Sequence, residues 1–449
     1  MPQPRAAVIL AAGLGTRMKS DLPKCAHSIA GRPMVQWAID LARQSGADRI
    51  VTVYGRKSPQ IDALGQAAGT ETAMQDPPLG TGHAVRAAED ALKGFDGDVI
   101  VLYGDTPLIT AGTVSRVFDA LEGGAAIAVL GFEPDAPGAY GRLITNESGE
   151  LERIVEYKDA NEAERAVRLV NSGVMAGNAK LMFELLGEVT NDNANKEYYL
   201  TDVVGLARAR GLKAAAVRGD AGEVLGVNSR ADLAEAEACW QARKREAVMA
   251  EGATLIAPNT VWFGHDTVVG RDVVIEPNVF FGPGVTLEDN VVVRGFSHLE
   301  GCIVRQGAQV GPFVRLRPAA DIGANAKVGN FVEVKKSTLG QDAKVSHLSY
   351  IGDAEVGAHA NIGAGTITCN YDGYNKSRTV IGEGAFIGSN SSLVAPVRIG
   401  KGAYTGSGSV VTDDVPDDAL ALSRSRQSNK EGWASRFRAA MAKRKGKSQ

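Results

Sequence analysis

Before about residue 230, short apolar runs alternate with stretches in which apolar residues recur every three or four positions. The runs AAVILAA (6–12), RIVTVYG (49–55) and DVIVLYGD (98–105) predict buried strands, and MVQWAIDLARQSG (34–46) predicts an amphipathic helix. Strands that alternate with helices indicate an α/β fold, a doubly wound, mostly parallel Rossmann-like sheet. In such sheets, ligands bind at the carboxyl ends of the strands.

A single long helical pattern, SRADLAEAEACWQARKREAVMAEG (229–252), follows this region. Ser229 and Asp232 can form an N-terminal capping box, and Gly252 can end the helix. A helix of this length needs a surface to pack against. We therefore predict that 229–252 is a helical linker between a first domain (1–228) and a second (253–449).

After residue 252 the helical period disappears, and an aliphatic or aromatic residue falls at every sixth position. With occasional slips of frame the pattern continues to Val411, and it begins with Val269, Ile275, Phe281, Leu287, Val293 and Leu299. A six-residue repeat predicts a parallel β-helix, in which one inward residue per short strand stacks in columns. The stretch CNYDGYNKSR (369–378) interrupts the repeat and is predicted to leave the coil as a loop.

Composition adds few constraints. The net charge of −3 does not favour nucleic acid or a membrane surface as a partner. No segment approaches the roughly 20 apolar residues of a membrane helix, and the apolar run near the N-terminus is too short for a signal peptide. The four cysteines lie far apart and lack metal-ligand spacing, so we expect a reducing, cytoplasmic location.

The stretch LAAGLGTRMKSDLPK (10–24) follows the first predicted strand and has the composition of a phosphate-binding loop. Gly13 and Gly15 let the backbone approach an anion, while Arg17 and Lys24 supply positive charge. This amount of positive charge suits the binding of a triphosphate that loses pyrophosphate in the reaction. The alternative is a tight strand–helix turn that carries two surface cations.

Two further stretches place polar groups at predicted strand ends. Asp105 follows a strand and a glycine, where a carboxylate is a natural Mg²⁺ ligand beside phosphates, or else caps the next turn. The stretch QDPPLGTGHA (75–84) offers Gln75, Gly80 and Thr81 as hydrogen-bonding groups suited to a base edge.

Polar residues also cluster in the β-helical half. An unperturbed histidine titrates near pH 6.5, which suits His347 to accept a proton from an amine that attacks a thioester. Taken alone, His347 fits a satisfied coil or surface histidine better than a catalytic one. The extruded loop and the nearby cations favour a catalytic site at His347. The polar residues of this cluster are Arg317, Lys335, Tyr350, Tyr371 and Lys376.

The opening loop is similar to the G-x-G-T-R-M…P-K signature of sugar-nucleotide pyrophosphorylases. Together with the hexapeptide repeats, the chain resembles the bacterial family of bifunctional N-acetylglucosamine-1-phosphate uridyltransferases and glucosamine-1-phosphate N-acetyltransferases over nearly its whole length. The resemblance implies a left-handed β-helix and two reactions. Acetyl-CoA would acetylate glucosamine-1-phosphate, and UTP would convert N-acetylglucosamine-1-phosphate to UDP-N-acetylglucosamine, a precursor of peptidoglycan and lipopolysaccharide.

For the uridyltransferase, the resemblance implies catalytic roles for Arg17 and Lys24 and Mg²⁺ held by Asp105 and Asn228. The implied nucleotide- and sugar-binding residues are Leu10, Ala11, Ala12, Gly13, Lys24, Gln75, Gly80, Thr81, Tyr103, Gly104, Asp105, Gly141, Glu156, Asn171 and Asn228.

For the acetyltransferase, the resemblance implies that His347 is the proton acceptor, and that the active unit is a homotrimer with a site shared between neighbours. The implied sugar-phosphate contacts are Arg317, Lys335, Tyr350, Asn361 and Lys376. The implied acetyl-CoA contacts are Ala364, Asn370, Tyr371, Ser389, Ser407 and Arg424.

Three alternatives remain open. The β-helix could serve only for oligomerisation, with a single pyrophosphorylase activity in the first half. The whole chain could be a non-catalytic assembly or regulatory protein. The last dozen residues, which are strongly basic, are either a disordered solubilising tail or lie near coenzyme A phosphates.

Overall fold

The computed structural model describes residues 3–13 and 15–445. Met1, Pro2, Leu14 and 446–449, which belong to the predicted N-terminus, opening loop and basic tail, lie outside the described residues. The chain divides into two compact units: Met1–Val248 with Trp262–Thr267, and Met249–Val261 with Val268–Gln449. In the described residues, none of the helices combines the length and apolar character needed to cross a bilayer.

The first unit contains a mostly parallel sheet with helices on both faces. Its strands are β1 (Arg5–Leu10), β2 (Ser28–Ile29), β3 (Arg32–Pro33), β4 (Ala47–Gly55), β5 (Glu71–Gln75), β6 (Asp98–Tyr103), β7 (Ile127–Phe132), β8 (Arg142–Thr145), β9 (Leu151–Val155), β10 (Val170–Asn178) and β11 (Ala214–Arg218). Its helices are α1 (Met34–Gln44), α2 (Pro59–Ala67), α3 (Thr81–Arg86), α4 (Ala111–Glu122), α5 (Glu162–Arg165), α6 (Ala179–Glu188), α7 (Asp202–Ala209) and α8 (Arg230–Ala250).

The main sheet has the order β11-β7-β10-β6-β1-β4-β5, with the β8–β9 hairpin attached to β10. Strand β10 runs antiparallel to both β6 and β7, whereas β1 is parallel to β4 and β6. The carboxyl ends of β1, β4, β5 and β6 therefore meet at one edge. The predicted α/β fold is confirmed.

The strands of this sheet are apolar at nearly every position because both faces are covered. In β1, Val8 packs into a core with Val101 and Leu186, whereas Ile9 packs into a second core with Ile39 and Phe118. A strand that is buried on both sides has no solvent face, so its sequence is a continuous apolar run rather than an alternation.

Helix α8 packs along the first unit. Its capping pair forms as the sequence suggests: the Ser229 amide donates to Asp232 Oδ2 at 2.9 Å, and the Asp232 amide donates to Ser229 Oγ at 3.2 Å. Farther along, Trp240 contacts Trp37 with ring centroids 5.7 Å apart. The buried Gln241 exchanges hydrogen bonds with the backbone of Phe263 at 2.7 and 2.8 Å.

The second unit is a coil of short parallel strands in three sheets. Sheet one holds Thr254–Leu255, Val274–Ile275, Val292–Val293, Gln309–Val310, Lys327–Asn330, Lys344–His347, Asn361–Ile362, Phe386–Ile387, Tyr404–Thr405 and Leu420–Ala421. Sheet two holds Phe280–Phe281, His298–Leu299, Arg315–Leu316, Glu333–Lys335, Tyr350–Gly352, Ile367–Cys369, Ser392–Val394 and Val410–Val411. Sheet three holds Val268–Val269, Thr286–Leu287, Cys302–Val304, Ala320–Ile322, Thr338–Leu339, Ala354–Val356, Thr379–Ile381 and Val397–Ile399.

The six-residue pattern corresponds to the interior of this coil. Ile275, Phe281, Leu287 and Val293 are at most 1 % exposed, whereas Val269 in the first coil is only partly buried. Corners are tight: a Cβ on Gly329 would lie 1.9 Å from the backbone oxygen of Ser346 in the next coil. The predicted β-helix of hexapeptide repeats is confirmed.

Two segments depart from the coil. Residues 370–378 separate strands of sheets two and three, as the interruption in the repeat predicts. Residues Trp433–Lys445 form helix α9. The prediction of a disordered tail is therefore wrong for 438–445, because Ala, Arg and Lys favour helix strongly.

Candidate active sites

The opening turn lies directly beyond β1. Gly15 has φ of 60°, and a Cβ there would lie only 2.5 Å from the Cβ of Lys24. Glycine is therefore required both by the left-handed backbone and by the close approach of the two segments. Gly13 is exposed, and Arg17 is exposed on the turn Thr16–Met18.

Lys24 joins the two residues predicted to hold a metal. Its ammonium contacts Asp105 Oδ2 and lies 3.1 Å from Asn228 Oδ1. The side chains of Lys24 and Asp105 are only 12 % and 18 % exposed. The Val227 amide also donates to the Asp105 carbonyl at 2.9 Å, so the segment before α8 is tied to the end of β6. The Lys24 ammonium therefore contacts oxygens of both residues that are predicted to hold the metal.

The predicted base-reading residues surround the start of α3. Gln75 Nε2 donates to the Gly80 carbonyl at 2.9 Å, and Thr81 Oγ1 accepts from the Leu200 amide at 3.0 Å. Gly80 has φ of 107°, and a Cβ there would lie 2.7 Å from the Tyr198 carbonyl oxygen. This segment is therefore held closely against residues 198–200.

Three predicted sugar-binding residues lie close together: Gly141 just before β8, Glu156 just after β9, and Asn171 on β10. The Asn171 amide donates to the Gly141 carbonyl at 2.8 Å, and Glu156 Oε1 lies 3.4 Å from where a Gly141 Cβ would be. Burial raises the pKa of the Glu156 carboxyl, an effect that a hydrogen bond from Thr201 partly offsets. A carboxyl with a raised pKa keeps its proton to higher pH and can then donate to a hydroxyl.

The remaining predicted residues of this site lie at or just beyond the ends of β1 and β6. Leu10, Ala11 and Ala12 are buried at the end of β1, and Gly104 lies against Ala11. Burial also raises the pKa of the Tyr103 hydroxyl. In the described residues no group of three or more His, Cys, Asp or Glu side chains could hold a metal, so any metal here would rely on one carboxylate and one amide.

In the second unit, His347 lies at the corner between sheets one and two. Its Nδ1 is 2.8 Å from Asn330 Oδ1, one coil earlier, where Asn330 and His347 are register partners. An amide oxygen only accepts hydrogen bonds, so Nδ1 carries the proton. His347 is exposed, and in this tautomer its Nε2 is the nitrogen that can accept a proton.

Three predicted acetyl-CoA contacts continue the column above His347. Backbone hydrogen bonds link successive rungs at this corner, from the position of His347 to those of Ala364, Ser389 and Ser407. Neighbouring strands are about 4.8 Å apart. These residues therefore form a line parallel to the coil axis that begins at the histidine.

The predicted phosphate-binding cations lie at the other edge of sheet two. Arg317 Nη1 donates to Glu333 Oε1 at 2.9 Å, whereas its buried Nε has no hydrogen-bond partner among the described residues. Lys335 ends the next strand of this edge, and Lys376 pairs with Tyr371 on the extruded loop.

Other predicted contacts are distributed around the coil. Asn370 donates to Asp353 Oδ2 and lies 3.5 Å from the Tyr350 hydroxyl. Asn361 begins a strand of sheet one, and Arg424 is exposed beyond the last strand. In one chain, the His347 corner and the Arg317 corner are thus separated by the width of sheet two.

Three positioning contacts were missed in the sequence. Asn330 holds His347, Glu333 holds Arg317, and Arg142 is a buried arginine at the start of β8. Asn330 precedes His347 by one coil, so the repeat length could have revealed it. Nothing in the sequence distinguishes Arg142 from a surface arginine.

Comparisons with known proteins match both units. The MobA-like NTP transferase domain matches residues 7–254, and the bacterial transferase hexapeptide family matches residues 266–301 and 378–413. A relative from Maricaulis maris (strain MCS10), named Bifunctional protein GlmU, is 67% identical and covers 100% of this chain and 99% of its own length. A relative of the same name from Paramagnetospirillum magneticum (strain ATCC 700264 / AMB-1) is 56% identical and covers 98% of each chain.

The chain belongs to the GlmU family. Another GlmU relative, from Sphingopyxis alaskensis (strain DSM 13593 / LMG 18877 / RB2256), is 56% identical and covers 100% of both chains. The resemblance read from the opening loop and the repeats is therefore confirmed. Among solved structures, one of a UDP-glucose pyrophosphorylase complexed with UDP-glucose is 21% identical with a TM-score of 0.44, and covers 54% of this chain and 99% of that chain.

We predict that Asn330→Ala lowers acetyl transfer about tenfold to a hundredfold, because the imidazole loses the acceptor that fixes its tautomer. Asn330→Asp, which keeps an acceptor oxygen, should retain most of the rate. The measurement is acetyl-CoA consumption with glucosamine-1-phosphate, with uridyl transfer by the same preparation as the control for folding. Equal rates in the alanine variant and the unchanged chain would contradict the role of Asn330.

Proposed function

We propose that the chain is a two-site enzyme of UDP-N-acetylglucosamine synthesis, with uridyl transfer in the first unit and acetyl transfer in the second. The observation that carries the proposal is that each unit gathers its own reactive groups. Lys24, Asp105 and Asn228 meet at the sheet edge, and His347 is held by Asn330 on the coil.

In the first unit, an oxygen of the sugar phosphate attacks the α-phosphorus of UTP, and the bond to the departing pyrophosphate breaks. The chain positions these groups and neutralises their charge. Lys24 and Arg17 supply positive charge on the opening turn, and the exposed backbone at Gly13 is free to approach phosphate oxygens. Gly141, Glu156 and Asn171 hold the sugar phosphate.

The residues at the end of β6 fit Mg²⁺. Asp105 Oδ2 and Asn228 Oδ1 both contact one cationic group, the Lys24 ammonium, so a small cation can reach the same two oxygens. Mg²⁺ prefers one or two protein oxygens with the rest supplied by phosphates and water, and when bound it screens the charge on the phosphates.

In the second unit, the amine of glucosamine-1-phosphate attacks the acetyl carbon of acetyl-CoA. His347 Nε2 accepts the proton that the amine loses, the carbon–sulfur bond breaks, and the proton is available to the departing thiolate. Ala364, Ser389 and Ser407 line the path of coenzyme A from His347. Arg317, Lys335 and Lys376 hold the phosphate of the sugar.

The acetyltransferase site is completed by a neighbouring chain in a homotrimer. Hexapeptide repeats favour oligomers, and a ridge beside the His347 column supports this arrangement. The ridge consists of Phe296, Phe313, Phe331 and Leu348, which are 57 %, 46 %, 54 % and 63 % exposed. Their φ angles lie between 49° and 58°, a conformation that costs roughly 1–2 kcal/mol for such residues.

The ridge is unfavourable in two respects, because it exposes large apolar side chains and holds their backbone in a strained conformation. Successive phenylalanine rings are stacked 5.0 and 5.2 Å apart. Contiguous exposed apolar surface marks an interaction site.

A cytoplasmic location fits the four free cysteines.

Two single variants should separate the reactions. Asp105→Ala should abolish uridyl transfer but still convert glucosamine-1-phosphate to its N-acetyl form, because only the first site loses its carboxylate. His347→Ala should lose about 10²–10⁴-fold in acetylation but still make UDP-sugar from supplied N-acetylglucosamine-1-phosphate. Chromatography of products with acetyl-CoA, UTP or Mg²⁺ omitted in turn measures both steps. Normal UDP-sugar synthesis in Asp105→Ala would refute the metal assignment.

Lys24→Met should raise the affinity of the nucleotide-free chain for Mn²⁺ at least about tenfold, because the ammonium no longer competes for the Asp105 and Asn228 oxygens. Electron paramagnetic resonance of unbound Mn²⁺ gives the affinity directly. Arg17→Met is the matched control, since it removes an equal charge from the same turn. The competition is excluded if both variants gain affinity equally, or if neither does.

Phe313→Asp should convert the trimer to monomers, because the charge interrupts the ridge. We expect light scattering to show a mass near 47.1 kDa instead of three times that value. Acetyl transfer should fall with the trimer, while uridyl transfer persists. Val268→Asp, at an exposed position of sheet three, should change neither mass nor activity. A fully active monomer would disprove the shared site.

A further inference from the structure

Arg142 is a charged residue buried inside the wall of the first unit. It begins β8, pairs with Val155 of β9 and Val170 of β10, and is only 2 % exposed. Burying an arginine is costly unless its donors are satisfied. We therefore expect the donors of this side chain to be satisfied by hydrogen bonds.

The hydrogen-bond acceptors of Arg142 are backbone carbonyls. Its Nε donates to Arg165 at 3.2 Å, and its Nη2 donates to Gly138 at 3.0 Å. Its Nη1 donates to the Tyr140 carbonyl and lies 3.5 Å from that of Pro137. A planar fork with five N–H groups suits such a set, and a single ammonium does not.

The same guanidinium reaches a third segment through an aromatic ring. The Arg142 Cζ lies 5.3 Å from the centroid of the Tyr157 ring, which Arg165 also covers at 4.8 Å. Arg165 Nε donates to the Tyr157 carbonyl at 3.3 Å. Arg142 thus connects the loop before β8, the residue after Glu156, and the end of α5.

Two of these segments adjoin proposed sugar-phosphate contacts, because Gly141 precedes Arg142 and Glu156 precedes Tyr157. Gly141 lies between Tyr140 and Arg142, its carbonyl accepts from the Asn171 amide, and the Glu156 carboxylate lies beside it. We propose that Arg142 is a positioning residue that holds Gly141, Glu156 and Asn171 in one geometry for the sugar phosphate. The inference rests on the proposed function, and Arg142 itself touches no substrate.

This role predicts a change that is selective for one substrate. In Arg142→Met, the KM for N-acetylglucosamine-1-phosphate should rise about tenfold, because Gly141, Glu156 and Asn171 are no longer held in the geometry that binds the sugar phosphate. The KM for UTP should stay within about twofold, because the nucleotide contacts lie on other elements. Arg142→Lys keeps the charge but not the fork, and should be impaired to a similar degree.

The test is steady-state kinetics of the full chain with each substrate varied in turn. Acetyl transfer by the same preparation serves as the control for folding. The matched variant is Arg153→Met on β9, an arginine whose side chain is 51 % exposed and pairs with Glu164, and it should leave both KM values unchanged.

A merely structural role would lower the active fraction, so that kcat falls while both KM values stay constant; that result would overturn the inference. A parallel rise of both KM values, or restoration of the normal KM by lysine, would overturn it as well. Each of these outcomes leaves the proposed function intact, provided that the unchanged chain makes UDP-sugar. Absence of that product in the unchanged chain would instead reject the proposed function.

Discussion

The contact of the Lys24 ammonium with Asp105 and Asn228 determines the geometry of the first unit's site. It joins Lys24 of the opening loop, Asp105 after β6 and Asn228, two residues before α8, which are far apart in the sequence. Because the pair is largely buried, removing one partner would leave a charge without compensation. The turn can approach this closely only because position 15 is a glycine, so the charge contact and the backbone conformation depend on each other.

The second unit builds its site by a different rule, which is the register of the coil. A residue at one corner has its neighbours one coil before and after it, so Asn330, His347 and Ala364 are stacked although they are 17 residues apart along the chain. This rigid stacking fixes the spacing of side chains along the coil axis, but it cannot bring residues at two different corners into contact. In the proposed homotrimer, a neighbouring chain supplies the groups of the other corner.

Much of both folds could be predicted, because apolar periodicity reports directly on burial. The run 6–12 and the helix 34–46 were recognisable from spacing, and so was the coil interior. The partners of Arg142 could not be predicted, because its acceptors are backbone carbonyls that any sequence presents. Helix α9 was not predicted, because the basic composition left a disordered tail and a segment near coenzyme A phosphates as open alternatives, although Trp433, Phe437 and Met441 recur every four residues. Lys24 and Asp105 were both predicted to bind ligands, but not to contact each other.

The ridge and the proposed sharing of the acetyltransferase site between chains have the same explanation. Phe313 and Phe331 would be unfavourable on a free surface, since each is exposed and holds a left-handed backbone. Next to them lies His347, while Arg317 and Lys335 lie across sheet two. A neighbour packed on the ridge would bury the aromatic rings beside the histidine and could bring its own cations to it. Assembly and acetyl transfer would then depend on the same surface, whereas the nucleotide site, built within one unit, would not require it.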